Sequence, residues 1–109
     1  MNQGAKTIIY PVKDIARAKA RFRTLLGIEP YADQPYYVGF RVKDQEIGLD
    51  HHGHKAGVTA YFDVDNIKQS MQSLLDSGAQ IVQDIKDVGG GRLIAIVKDP
   101  DGNIIGLRQ

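Results

Sequence analysis

A chain that repeats its own pattern is constrained to fold into two related halves, and this one repeats at a spacing of 52 residues. The segment Thr7-Ile8-Ile9-Tyr10-Pro11-Val12-Lys13-Asp14-Ile15 lines up with Thr59-Ala60-Tyr61-Phe62-Asp63-Val64-Asp65-Asn66-Ile67. Each copy is a short β-rich run that ends at an Asx residue just before a helical pattern. In the first, Ile15, Ala18, Phe22, Leu25 and Leu26 recur at spacings of three and four, with Asp14 as N-cap and Gly27 as the stop. In the second, Ile67, Met71, Leu74 and Leu75 do the same, with Asp65 or Asn66 as cap and Gly78 as the stop. Both patterns predict amphipathic helices of about three turns, each burying one stripe.

The later parts of the two copies also correspond. Val42-Lys43-Asp44 followed by Ile47-Gly48-Leu49 matches Val97-Lys98-Asp99 followed by Ile105-Gly106-Leu107, the second copy having the longer loop. That loop, Asp99-Pro100-Asp101-Gly102-Asn103, has Pro to preset φ and Gly for φ > 0, which predicts a hairpin turn. Further strands are expected at 36–42, 81–84 and 92–98, with a weak extended segment near 29–31. Each half then reads β-α-β-β-β, the first over about 6–50 and the second over about 58–109, joined by a linker at about 51–57. Neither half carries enough apolar surface to stand alone, so 1–109 is expected to be one domain.

With 42% hydrophobic and 25% charged residues the chain has the composition of a folding domain rather than a disordered one. A formal net charge of +1 supplies no field that selects nucleic acid or an anionic membrane. The absence of cysteine excludes disulfides, a thiolate nucleophile and Cys-based zinc or iron–sulfur sites. No apolar run approaches the ~20 residues of a membrane span, and residues 1–6 carry no apolar signal core, so a cytoplasmic address is expected.

Alternation along the strands assigns faces. Ile8, Tyr10 and Val12, with Ala60, Phe62 and Val64, and likewise Val38, Phe40, Val42, Leu93, Ala95 and Val97, form apolar rows that should sit against the helices. The opposite face carries Thr7, Ile9, Tyr37, Gly39, Arg41, Glu46, Gly48, Asp50, Thr59, Tyr61, Asp63, Arg92, Ile94, Ile96, Gly106 and Arg108, with gaps at glycine. Curved around a space, that face would line a cavity for a small organic ligand; left open, it is simply the solvated face of an antiparallel sheet. Arg41, Arg92 and Arg108 suit a forked clamp on a carboxylate or phosphate, or equally an ion pair with a nearby acid. Tyr37 and Tyr61 suit stacking on a planar ligand, or core packing with the hydroxyl at the rim.

Other motifs are weaker. His51, His52 and His54 are the densest group of potential metal ligands, but they lie in the expected linker with no carboxylate at a recognised spacing beyond Asp50, and read as solvated. Gly89-Gly90-Gly91-Arg92 lacks the Lys-Ser/Thr of a phosphate loop and leads into a strand, so it is expected to be a loop at the cavity mouth. No Gly-x-Ser-x-Gly elbow is present.

Taken together, the duplication, the strand ending Val12-Lys13-Asp14-Ile15, the helix ending Leu25-Leu26-Gly27-Ile28, the matching Val64-Asp65-Asn66-Ile67 and the turn Lys98-Asp99-Pro100-Asp101-Gly102-Asn103 resemble the vicinal oxygen chelate superfamily of glyoxalases, bleomycin- and fosfomycin-resistance proteins and extradiol dioxygenases. The resemblance covers almost the whole chain. It implies an α+β fold of two βαβββ modules whose curved mixed sheets surround a shared cavity, usually in a homodimer. Enzymes of that superfamily hold a divalent metal with a His near the start of each module's first strand and a Glu near the end of its last. By position those four sites fall on Thr7, Gly48, Thr59 and Gly106, none a usual ligand. The expectation is therefore no metal and no cofactor, as in the drug-sequestering members. A small organic ligand would be held by Thr7, Tyr37, Arg41, Thr59, Tyr61, Arg92 and Arg108. The alternative is a lyase or isomerase of the same superfamily with a non-standard site that uses Glu46, Asp63 or the arginines.

Overall fold

The structure, a computed structural model, describes residues 2–52 and 57–109. Eight strands and two helices follow in the order β1 (Gly4–Pro11), α1 (Ile15–Leu26), β2 (Ala32–Asp33), β3 (Tyr37–Val42), β4 (Gln45–Asp50), β5 (Thr59–Asp63), α2 (Ile67–Asp76), β6 (Gln80–Asp87), β7 (Leu93–Lys98) and β8 (Ile104–Arg108). The strands pair both parallel and antiparallel, so the protein is α+β with mixed pairing. The chain divides into two compact units, Thr7–Thr59 and Ala60–Gln109, the latter joined by the residues up to Lys6.

In the unit Thr7–Thr59 the strands run β2-β3-β4-β1, with β1 parallel to β4 and the other pairs antiparallel. Asp14 begins α1 as expected, its side chain accepting the Arg17 N–H at 3.1 Å, and Gly27 ends it in the left-handed conformation that a residue without Cβ adopts most readily. The core is Ala18, Val38, Phe40 and Leu49, packed by Tyr10, Val12, Ile15, Phe22 and Leu26. Leu25, expected within the buried stripe, is 73% exposed: it lies at the edge of that stripe, in the last turn of the helix.

The unit Ala60–Gln109 repeats the arrangement as β5-β8-β7-β6. Asn66, one of the two expected caps, accepts the Gln69 N–H at 3.1 Å, and α2 closes at Ser77 just before Gly78. Ile67, Met71, Ala95, Val97, Leu107 and Val64 form its core, with Phe62, Leu74, Leu75 and Leu93 against them. Of the rows that alternation assigned to the helices, Tyr10, Val12, Val38, Phe40, Phe62, Val64, Leu93, Ala95 and Val97 pack in the two cores, while Ile96, assigned to the opposite face, is buried as well. The expected strand at 81–84 is longer, Gln80–Asp87, because two register shifts against β7 interrupt its alternation.

The turn joining β7 to β8 is built around Asp99. Its Oδ1 accepts the backbone N–H of Asp101 at 3.0 Å and of Asn103 at 2.7 Å, its Oδ2 accepts the Asn103 side-chain amide at 3.0 Å, and Gly102 takes φ +88°. These donors, Asn103 foremost, hold the Asp99 carboxyl below its ordinary value. A carboxyl depressed by folding stabilises the native state above its unfolded pKa of about 3.9, and that contribution is lost as pH falls through the folded value. Asp99→Asn, which removes the charge, is accordingly expected to lower the melting temperature at neutral pH. The gap to the unsubstituted protein should narrow at pH 3, and thermal unfolding at the two pH values checks this.

No helix among the described residues is long and apolar enough to cross a membrane.

Candidate functional site

In the first unit, the face turned away from α1 is organised by pairing. Gly39 stands opposite Gly48, Arg41 opposite Glu46 and Tyr37 opposite Asp50 on β3 and β4, while Thr7 and Ile9 on β1 stand opposite Glu46 and Gly48. Glu46 is the centre of this face, with a side chain only 12% exposed. The Tyr37 hydroxyl donates to its Oε2 at 2.7 Å, and Arg41 Nη2 lies 3.7 Å from its Oε1. The Arg41 guanidinium carbon also sits 4.3 Å from the centroid of the Tyr31 ring, a cation–π arrangement. Structure therefore unites two of the sequence-derived candidates, Tyr37 and Arg41, through a third residue.

Burial, then the hydrogen bond to Glu46 and the nearby negative charges, push the Tyr37 phenol well above the ordinary tyrosine value. A raised phenol pKa means that folding retains a proton the unfolded chain gives up, so the linked stability is lost as pH rises beyond about 10. Spectrophotometric titration is expected to show one of the five tyrosines resisting ionisation until the protein unfolds, and Glu46→Gln to lower that residue's transition.

The glycines of this face are occupied spaces. A Cβ on Gly48 would run into the Tyr37 hydroxyl oxygen and come within 2.6 Å of Ile9 Cδ1, and one on Gly39 would come within 2.9 Å of the Tyr31 ring. In the second unit the same holds at Gly106, where a Cβ would come within 2.6 Å of Tyr61 Cδ1. Tyr61 is the direct cross-strand neighbour of Gly106. Glycine thus serves here to seat an aromatic ring.

These contacts decide whether the superfamily's metal fits. Gly48 and Gly106, the positions of the expected carboxylates, lack side chains and lie beneath tyrosines. Thr7 and Thr59 are buried, at 5% and 2% exposure, and offer only neutral hydroxyls. Among the described residues no three or more His, Asp or Glu side chains are grouped to hold an ion. The residues present do not fit a divalent metal at those four positions. His51 and His52 are exposed, with ring centroids 5.2 Å apart and edge to face, and His54 lies outside the described residues.

In the second unit, an open cleft of about 460 Å³ is lined by Gln3, Asp63, Val64, Arg92, Arg108, Gln109 and the backbone of Gly90 and Gly91. Backbone hydrogen bonds frame it. Gln3 N–H donates to Asp63 O at 2.7 Å, Val64 N–H to Arg108 O at 2.9 Å, and Leu93 and Gln109 exchange bonds at 3.1 and 2.9 Å. The Gln109 side chain accepts the Ile67 N–H at 2.7 Å, which ties the cleft to the first turn of α2. Asp63 stands beside Arg108 across the parallel β5–β8 pair, and its Oδ1 is buried without a donor among the described residues.

Of the seven candidate ligand-binding residues, Arg92 and Arg108 line this cleft and Thr7, Tyr37, Arg41, Thr59 and Tyr61 do not. Nothing in the local sequence marks Gln3 and Gln109 as residues of the cleft. The tyrosine-over-glycine seats have no local signal either, because Tyr37 and Gly48, Tyr31 and Gly39, and Tyr61 and Gly106 lie on different segments of the chain.

Among curated proteins none matches the chain. Solved structures share its fold at low identity. A protein described as an NAD-dependent benzaldehyde dehydrogenase from Legionella pneumophila is 18% identical, with TM-score 0.74 over 99% of this chain and 97% of its own. A glyoxalase/bleomycin resistance protein/dioxygenase superfamily member from Vibrio splendidus is 20% identical, with TM-score 0.74 over 94% of this chain and 95% of its own. A Streptomyces coelicolor methylmalonyl-CoA epimerase variant in complex with 2-nitronate-propionyl-CoA is 14% identical, with TM-score 0.74 over 99% and 97%. The family model of the Glyoxalase/Bleomycin resistance protein/Dioxygenase superfamily matches residues 4–107, nearly the whole chain, and the protein belongs to that superfamily.

Proposed function

We propose that this protein binds a small organic ligand without the divalent metal typical of the superfamily. The observation that carries the reading is the cleft of about 460 Å³ in the second unit, within the ~300–1,000 Å³ of small-molecule sites and lined by polar groups that can orient a ligand. Thr7, Tyr37, Arg41, Thr59, Tyr61, Arg92 and Arg108 are the residues assigned to the ligand-binding surfaces, Arg92 and Arg108 in the cleft. The mismatch at Gly48 and Gly106 supports binding that does not pass through a metal. Native mass spectrometry of freshly purified protein tests the reading. A retained organic molecule, or saturable stabilisation by members of a small-molecule library, is expected. Neither appearing would contradict it.

A second reading, a lyase or isomerase, is favoured by one observation: the shielded Glu46 carboxylate, with Tyr37 donating to it, is a candidate proton acceptor. Turnover of a candidate substrate that Glu46→Gln abolishes would select this reading over binding alone.

The protein is further proposed to be cytoplasmic and to pair as a two-fold homodimer. The end strand β6 supports pairing, since it leaves a strand edge uncovered within its unit and exposes Ile81 and Val82. Light scattering at high micromolar concentration should report twice the chain mass, and a monomer there would contradict pairing.

A further inference from the structure

The duplication supplies its own control on the two helices. Both do the same structural work, α1 packing Ala18 and Phe22 into one core and α2 packing Met71 and Leu74 into the other. Their charges differ. α2 carries Lys68 and Asp76, one of each sign, whereas α1 carries Arg17, Lys19, Arg21 and Arg23 and no acid. With Lys13, just before the N-cap, five of the chain's 14 basic residues fall within residues 13–23 against one acid, Asp14.

This charge does not serve the helix. Arg17 stands in the first turn, at the positive end of the helix dipole, and Arg17–Arg21 and Lys19–Arg23 are like-charged pairs at four-residue spacing. Both arrangements disfavour a helix. Lys19 and Arg23 turn to acids of their own unit, Lys19 bonding Asp33 and Arg23 Nη1 lying 3.6 Å from Glu29. The outward row has no such outlet. Arg17, Arg21 and Leu25 follow one another about 6 Å apart along the helix, and Lys13 precedes them by the same spacing in sequence. The Arg17 side chain is 85% exposed and Leu25 is 73% exposed. Lys13 and Arg21 are exposed and take part in no ion pair among the described residues. Arg17 has only an exposed pair with Asp14, at 3.5 Å, which water and salt weaken.

Three cations leading to an exposed leucine suit an occupant that offers carboxylates and an apolar side chain in one row. A phosphate backbone would leave Leu25 without an apolar contact, and a bilayer would find a single leucine to take up. A second helix repeats its own four-residue row at the same spacing of about 6 Å, so its acids register with these cations.

We propose that the outer face of α1 docks an acidic helix of a partner protein, with carboxylates at four-residue spacing on Lys13, Arg17 and Arg21 and an apolar side chain on Leu25. This surface lies in the first unit and the cleft in the second, and docking here does not depend on the ligand-binding reading. A contact along about 18 Å of helix is small, so the binding is weak and sensitive to salt.

Titration of the full-length protein by two-dimensional amide NMR tests it. The probe is a capped, helix-forming peptide of about 20 residues with glutamates at four-residue spacing in one row and leucines in the adjacent row. It is expected to shift the Arg17, Arg21 and Leu25 signals saturably. Replacing its glutamates by glutamine should weaken binding at least roughly fivefold, and Arg17→Gln combined with Arg21→Gln should weaken it roughly tenfold or more. The same double variant should melt no lower than the unsubstituted protein, because it removes a like-charged pair and a cation from the first turn. Leu25→Ala should weaken binding roughly threefold. No saturable shift on α1, or equal affinity for the glutamine peptide, would overturn the assignment. A clearly destabilised double variant would overturn it as well, since the arginines would then serve the fold. Tighter binding of oligothymidylate or of phosphatidylserine vesicles than of the acidic peptide would also overturn it, in favour of a nucleic acid or a membrane surface.

Discussion

Gly106→Ala is expected to destabilise the protein by about 1–3 kcal/mol, the usual penalty for forcing an extra group into a filled site. The cause is specific. The new Cβ would lie 2.6 Å from Cδ1 and 2.8 Å from Cγ of Tyr61, atoms near the root of the ring, so the whole ring must move. Gly48→Ala should cost less, because the two nearest atoms it meets, the Tyr37 hydroxyl and Ile9 Cδ1, are the far ends of their side chains and Tyr37 Cε1 follows at 2.9 Å. A double-mutant cycle isolates the effect: with Tyr61→Leu already present, Gly106→Ala should cost much less than in the original protein. Equal costs in both backgrounds, measured by urea unfolding, would show that the ring does not fill that space.

Phe40→Ala is expected to have the largest effect of any single truncation, about 3–5 kcal/mol. Phe40 is fully buried and packs with Val38, Leu49 and Ala18 at the centre of the first unit. Against a total stability of about 5–15 kcal/mol, such a loss leaves the folded state marginal or abolishes it. Leu25→Ala, on the helix that covers the same core, should change stability by no more than about 0.5 kcal/mol, because Leu25 is already 73% exposed. The contrast fixes which way α1 faces. Comparable losses for the two variants would mean that it faces otherwise.

Much of this architecture is legible in the sequence because it is written twice. The offset between Thr7 and Thr59 aligns two strand–cap–helix units, and Asp14, Asn66 and Gly27 act where local chemistry puts them. Alternation then assigns Phe40 and Val97 to the cores and Gly39, Gly48 and Arg41 to the other face, as the strand pairing confirms. What alternation cannot express is an irregularity, and so β6, with two register shifts, extends beyond the expected 81–84.

The sites were legible only in part, for the same reason. Face parity reveals that Tyr61 and Gly106 share a row, but not that the ring lies down over the glycine. That depends on side-chain packing across two strands far apart in sequence. The cleft depends on longer connections still. Gln109 reaches Ile67, 42 residues away, and Gln3 binds the Asp63 backbone, contacts that no local pattern announces. Alternation places Glu46 on the face away from the helix but not at its centre, which comes from the convergence of Tyr37 and Arg41 on its carboxylate.

The proposed metal-free function rests on the tyrosines that lie over Gly48 and Gly106, where two metal-binding carboxylates would stand. Elemental analysis bears on it most directly. The protein would be purified without chelator, incubated with zinc, nickel, iron(II) and manganese in turn, and desalted before measurement. The account predicts well below one ion per chain for every metal and a melting temperature unchanged by subsequent chelator. One tightly held ion per chain, lost on substituting Glu46 or Asp63 and retained when His51, His52 and His54 are all replaced, would contradict it.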